Sequence, residues 1–519
     1  MKKSTKSLLL AALVSLVPAA CVQAQLTDGV PETDTSLITG STFNVDATTF
    51  VPTDFMGDTT GATISQINVL NGGDLSATNN NFDFTEINIE SGGDTTNSVT
   101  VNNAELNVLP GGALGSGLTV GANSTLNVGS GVTDIGNNFT IAGTANINSG
   151  THTIAFESLS GSTVNIGGTT QILGNSNDFA GTVNIGGTAE ISSSSDFTST
   201  SNVTITGGTI GNQADFDGGL NISGGNFGTN VNINSTATDG SGGNVVISGG
   251  TFGPSGGTST LEIFAPTTVT GGNFNNSVDF EIGSAGSVIN SGTFGNNTDF
   301  LDDITINGGT FGTNQDIGNF STTSGLQDFP VVTINGGTFT ELDVDSGVTT
   351  INGGTFLGRT LDDGTINAAI TAGAVSGNEL GTINLRGGDI QGFIEAFGNL
   401  NLFGTNFAID GTPLAGVDSI DVDGFGAIAP VLTGTLEDGN TISLNLDGGF
   451  NFVNADTGIQ SNFPDFNEGT DLFGLFGVDG NTGGILTAGG TIINVVPEPS
   501  SLSLLALGAF GLITRRRRS

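Results

Sequence analysis

The 519-residue chain has one cysteine, one histidine, no tryptophan and no tyrosine. A single Cys and a single His cannot build a Cys/His zinc cluster, and no disulfide framework is available. Basic residues are almost as scarce, with Lys and Arg together numbering 9 against 49 acids, for a net charge of −40. Lys2, Lys3 and Lys6 open the chain, Arg515 to Arg518 close it, and only Arg359 and Arg386 lie between. A polyanion without a basic patch cannot neutralise phosphates, which excludes nucleic acid as a partner. No phosphate-binding glycine loop stands between a strand and a helix, so no cofactor site is expected. The high net charge alone would suggest disorder, but only 12 Pro, 34 Phe at patterned positions and a mean hydropathy of +0.12 allow a core.

What is abundant is glycine, 86 residues of it, and it is periodic. One phrase recurs: alternating β-branched residues, a polar residue, Gly-Gly, then Thr-Phe. Ile304-Thr305-Ile306-Asn307-Gly308-Gly309-Thr310-Phe311 and Val332-Thr333-Ile334-Asn335-Gly336-Gly337-Thr338-Phe339 are two copies. Fainter copies start near Asn71-Gly72-Gly73, and Ile366-Asn367-Ala368-Ala369 reads as a decayed one. The marks recur about every 20 residues, a period that signals a solenoid. Alternation of Val, Ile, Thr and Phe favours strands, and glycine at this density opposes helix interiors.

The predicted fold is therefore all-β, a parallel β-helix of about 16 coils making a rod of about 80 Å at a strand spacing of about 4.8 Å. A C-terminal β cap and a short C-terminal hydrophobic helix complete it. Phe227, Phe252, Phe274, Phe294, Phe311, Phe339 and Phe356 hold one equivalent position and predict an internal aromatic column. Thr170, Ala189 and Ile210 fill that slot in earlier coils. Asn307, Asn335 and Asn352 predict an amide ladder at the turn, with an ice- or sugar-binding face as the functional alternative to turn chemistry.

A second column is acidic. Asp215, Asp279, Asp299, Asp316 and Asp343 each precede an apolar residue that points inward, and Asp178-Phe179 and Asp196-Phe197 repeat the feature. Stacked carboxylates repel, and Ca²⁺, which prefers oxygen ligands, would relieve the repulsion. The alternative is a solvated acidic face that keeps the chain soluble.

The ends read as addresses. Met1 to Lys6 is basic, Leu8 to Val17 is apolar, and Val22-Gln23-Ala24 before Gln25 fits a cleavage site, so 1–24 is read as a secretory signal peptide cut between Ala24 and Gln25. Pro18-Ala19-Ala20-Cys21 loosely resembles a lipoprotein lipobox, with Pro where that motif carries a branched apolar residue. At the other end, Pro497-Glu498-Pro499 precedes the apolar run Leu502 to Ile513 and then Arg515-Arg516-Arg517-Arg518. The run is short for a full membrane span, and four arginines beside it argue against a buried core helix.

These three elements, over Val496 to Ser519, resemble the PEP-CTERM sorting tail of bacterial surface proteins. The resemblance implies export and transient membrane anchoring through 500–514, with Arg515, Arg516, Arg517 and Arg518 as the cytoplasmic anchor. It further implies processing near Pro497 by an exosortase-type enzyme, and an association with exopolysaccharide. The body is similar to autotransporter and adhesin-like β-solenoids. The chain then divides into signal peptide (1–24), N-terminal cap (25–60), solenoid (61–395), C-terminal β cap (396–456), spacer (457–495) and sorting signal (496–519).

The expected function is a secreted structural or adhesive protein of the cell surface or extracellular matrix, reached through a membrane-anchored precursor, and no catalytic residue is assigned. The alternative is a polysaccharide lyase or hydrolase, since β-helices host both and Asp302-Asp303 and Asp362-Asp363 pair carboxylates. Against it, His152 in Gly150-Thr151-His152-Thr153 reads as a surface residue of a repeat turn. Arg359 reads as a local ion-pair partner of Asp362.

Overall fold

The computed structural model describes most of residues 65–447. It also describes the strands Gln23–Leu26, Thr42–Val45, Thr49–Phe50 and Phe55–Met56 before them, and Gly483–Thr487 and Ile492–Pro497 after them. Within 65–447, the stretches 76–79, 235–243, 254–260, 319–328, 359–367, 373–380, 415–417 and 422–430 and a few shorter ones are not among the described residues. The described residues are all strand, turn or irregular chain, and they wind as a parallel β-solenoid of about 14 turns. Two compact units divide it, residues 1–214 and 215–519.

In the first unit the longest face is built from Ser65–Val69, Thr85–Ile89, Glu105–Val108, Thr125–Val128, Thr144–Ile147 and Thr163–Ile166. The last strands of this face come from the second halves of Asn177–Ile185 and Ser195–Ile205. All pair parallel and in register, so each inward Val, Ile or Leu stacks on its equivalent one coil away. The alternation is physical: successive side chains of a strand point to opposite sides, and only the apolar set is buried. Thr42–Val45 pairs onto Gln66–Val69, and Gln23–Leu26 pairs onto Thr42–Val45.

A short face follows the turn. There Ile172 lies in register with Ile191, and Ile191 with Ile210. This corrects the expected slot: Ile172 and Ile191 occupy it, whereas Thr170 and Ala189 are buried two residues earlier. Two extra residues separate Gly-Gly from the strand in Gly-Gly-Thr-Thr-Gln-Ile and Gly-Gly-Thr-Ala-Glu-Ile, compared with Gly-Gly-Thr-Ile at 207–210.

The second unit repeats three faces per coil. One coil runs Ile304–Ile306, Thr310–Phe311 and Gln315–Ile317. The seven phenylalanines expected as a column form one: consecutive ring centroids from Phe227 to Phe356 lie 4.4 to 5.2 Å apart with planes within 10° of parallel. A second pair, Phe280 and Phe300, stacks on the third face at 5.6 Å, and Phe300 meets Phe311 edge-on at 6.3 Å.

Val348–Ile351 pairs directly with Thr382–Leu385, and Ala368–Ala372 lies on the third face against Leu342–Val344. The decayed copy at 366–369 is therefore no coil of the Gly-Gly face. Without a glycine pair the chain does not turn there, and the marks overcount the turns. Beyond residue 396 antiparallel pairs join the parallel ones. Asn399–Ile409 continues the solenoid in its first half and runs antiparallel to Val431–Leu436 in its second, and Val431–Leu436 forms a hairpin with Thr441–Asp447. Gly483–Thr487 and Ile492–Pro497 pair with the last solenoid strands and cover their edges. Arg386 ties the hairpin to the coil, donating to both carboxylate oxygens of Glu437 at 2.9 Å with its guanidinium 3.9 Å from the Phe403 ring.

Candidate functional site

The acidic column exists, but its membership differs from the sequence reading. Asp279, Asp299, Asp316 and Asp343 are successive cross-strand partners on the third face of the second unit. Glu262 precedes Asp279 in the same column, and Asn232 stands between Glu262 and Asp215. Glu262 was missed because its strand, Leu261–Ile263, has Glu-Ile in place of Asp-Phe; the signal was the outward acid between two inward apolar residues. Asp215 is thus apart from the other four, and its carboxylate accepts from the Asn232 amide at 3.0 Å. In the first unit Glu157, Asp178 and Asp196 make the corresponding row.

Burial and mutual repulsion raise Asp279, Asp316 and Asp343 of the second unit. Asp316 is pushed up to about 8, first by burial and then by Asp343, Asp299, Asp345 and Glu341. Burial, then Asp299, Glu281 and Glu262, push Asp279 up to about 7. Asp343 rises to about 6, by burial and then Glu341, with a hydrogen bond from Thr371 opposing. Such a row stores protons near neutral pH. Among the described residues no three His, Cys, Asp or Glu side chains come together as a metal-binding group. In-register carboxylates on one sheet face point the same way, whereas Ca²⁺ takes ligands from all round.

Of the candidate reacting groups, Asp302, Asp303 and His152 are among the described residues. Asp302 accepts backbone N–H bonds from Gly283 at 2.8 Å and Ala285 at 3.0 Å, and Asp303 accepts one from Val331 at 2.7 Å. They stitch neighbouring coils. His152 is not a surface residue: it is fully buried, its ring centroid 4.8 Å from Phe139 and 5.5 Å from Phe156. Its Nε2–H donates to the Ala155 carbonyl at 3.1 Å, which sets the tautomer because a carbonyl can only accept. The turn ends at Gly150, so Thr151 and His152 already form a two-residue strand with His152 on the inward side. Arg359, Asp362 and Asp363 lie outside the described residues.

Asparagine builds the most regular polar feature. The predicted turn ladder is present: the Asn335 amide donates to Asn307, and Asn352 to Asn335, both at 2.8 Å. A longer ladder in the first unit escaped the sequence reading. Asn44, Asn68, Asn88, Asn107, Asn127, Asn146, Asn165 and Asn184 are in register, and each Nδ2 donates to the Oδ1 of the preceding asparagine at 2.7 to 3.1 Å. Its signal was present as Asn one residue before the last apolar residue of each strand, as in Leu106-Asn107-Val108 and Val164-Asn165-Ile166.

The addresses fall at or beyond the edges. Ala24 and Gln25 lie in Gln23–Leu26, and Pro497 ends Ile492–Pro497, which pairs parallel with Leu400–Gly404. Cys21, Glu498, Pro499, the apolar run 500–514 and Arg515 to Arg518 lie outside the described residues. Among the described residues no helix is long and apolar enough to cross a membrane. The comparison that decides the tail is with protein families: residues 495–518 match the PEP-CTERM protein-sorting motif. This chain carries a PEP-CTERM sorting tail. Such a tail implies export, processing by an exosortase and a cell-surface or extracellular destination. No curated protein and no solved structure matches the chain.

Proposed function

We propose that the chain is a non-catalytic, adhesin-like β-solenoid of the cell surface or extracellular matrix, released from a membrane-anchored precursor and associated with exopolysaccharide. The observation that carries this reading is the run of eight in-register asparagines. It repeats one uncharged polar group at every coil. Repetition of like groups suits weak, multivalent contact with a polymer. A reaction centre needs unlike groups converging within hydrogen-bond reach of one substrate atom. Stability in this reading comes from stacked Phe and Ile and from backbone ladders.

The second reading, a lyase or hydrolase, rests on Asp302-Asp303 and Asp362-Asp363. Incubating the purified full chain with neutral and acidic exopolysaccharides separates the two. Retention on the polymer without new reducing ends or unsaturated sugars is expected. Chain cleavage that disappears in Asp302→Asn or Asp362→Asn would replace the structural reading with the enzymatic one.

A further inference from the structure

The outward side of the longest face in the first unit becomes uncharged from residue 125 onward. On the strands Thr125–Val128, Thr144–Ile147, Thr163–Ile166, Thr182–Ile185 and Asn202–Ile205, the outward residues are threonines and asparagines only. The two preceding strands carry Glu86 and Glu105 on the same side. In a chain with 49 acids, this is an unusual stretch of neutral surface.

An open trough of about 490 Å³ runs beside this face. Its wall is the ladder Asn146, Asn165, Asn184, continued by Thr204. The trough exists because of two glycines. At the residue after the strand, one coil has Asn148, the next two have Gly167 and Gly186, and the fourth has Thr206. The exposed Asn148 and Thr206 side chains close the ends, and the glycines leave the floor bare.

The wall has hydrogen-bonding capacity left over. A primary amide offers two N–H donors and an oxygen with two lone pairs. Along the trough, Asn146 and Asn165 each use one donor and one lone pair for the ladder. These trough rungs therefore keep a donor and an acceptor, repeated at the strand spacing of about 4.8 Å. That spacing is close to the separation of successive pyranose rings in an extended glycan. Each hydroxyl of such a glycan is itself a donor and an acceptor.

We propose that this trough binds a short stretch of an extended, uncharged polysaccharide across the coils from Asn146 to Thr206. The inference rests on the surface reading above and names its ligand class. Uronate polymers are disfavoured, because the trough offers no cation and the chain around it is anionic. Binding at a single trough is weak, and adhesion comes from many chains on one polymer.

Gly167→Asn is the variant that tests this. A Cβ at Gly167 meets only Asn148 Oδ1, at 3.4 Å, an ordinary contact, so the side chain fills the trough without strain. Gly186→Ser is the second variant; its Cβ would come 2.8 Å from the Thr206 hydroxyl, a side-chain end that has to turn aside. The probes are cellohexaose and hexagalacturonate, titrated into the full-length chain by isothermal calorimetry or NMR. Cellohexaose is expected to bind at least about tenfold more tightly than hexagalacturonate. Either variant should weaken cellohexaose about tenfold with melting unchanged. Equal affinity for both probes, absence of binding, or binding indifferent to both variants would overturn the trough. So would thermal hysteresis in freezing assays without glycan binding, which marks an ice-binding face instead. Matrix retention that survives both variants would remove the trough and leave the surface reading standing. Cellohexaose binding without matrix retention would do the reverse.

Discussion

Gly309 holds a left-handed backbone, φ 123°, with its α-carbon over the Phe311 ring. A Cβ there would sit 3.1 Å from Phe311 Cε2, so both the backbone and the aromatic column refuse a side chain. Its carbonyl also accepts the N–H of Thr338 in the next coil at 2.9 Å. Gly309→Ala should therefore cost about 1–3 kcal/mol, the usual range for a strained φ. Phe311→Ala, which opens a gap between Phe294 and Phe339, should cost about 3–5 kcal/mol. Denaturant titration of the two variants measures both; a Gly309→Ala chain as stable as the parent would dismiss the ring-over-glycine account. These positions were legible in the sequence because Gly-Gly-Thr-Phe recurs at one spacing. His152 was not legible. A lone histidine beside a glycine reads as turn, and only the neighbouring Phe139 and Phe156, from other strands, show that the site is interior.

At the scale of the strand ladder, the acidic column sets a pH dependence. Asp316, raised to about 8, and Asp279, raised to about 7, hold protons in the folded chain that the unfolded chain has already released. Stability is then highest below about pH 4 for these groups and falls as pH rises through about 8. Thermal melting of the second unit should rise on acidification from pH 8 to pH 5. Asp316→Asn should raise it at pH 8 and flatten the dependence. A melting temperature that falls over that interval, or an Asp316→Asn chain less stable at pH 8, would contradict the repulsion argument. Millimolar Ca²⁺ at pH 8 separates cation relief from simple solvation, since only the former raises melting. The alternation Asp-apolar made four members of this column legible. Glu262 and the Asn232 interruption were not, because the lengths of the insertions between coils hide which strands become neighbours.

For the whole chain, the address is the strongest statement. Replacing Pro497-Glu498-Pro499 with alanines should leave an unprocessed chain in the membrane fraction of the exporting cell. Fractionation and intact mass measure this, and normal release at the native mass would show that processing does not depend on the motif. The acidic body, at a net charge of −40 for the chain, resists self-association and favours uncharged partners over anionic ones.

Period and composition were enough to determine the solenoid class, the phenylalanine column and the outward acids. Each is a local pattern repeated along the chain, and repetition converts sequence spacing directly into stacking. Tertiary structure alone decided the number of turns, the burial of His152, the Ile172 and Ile191 register, the continuity of the asparagine ladder and the trough at Gly167 and Gly186. Those depend on which coil lies against which, and coils of unequal length set that only when the backbone ladders close.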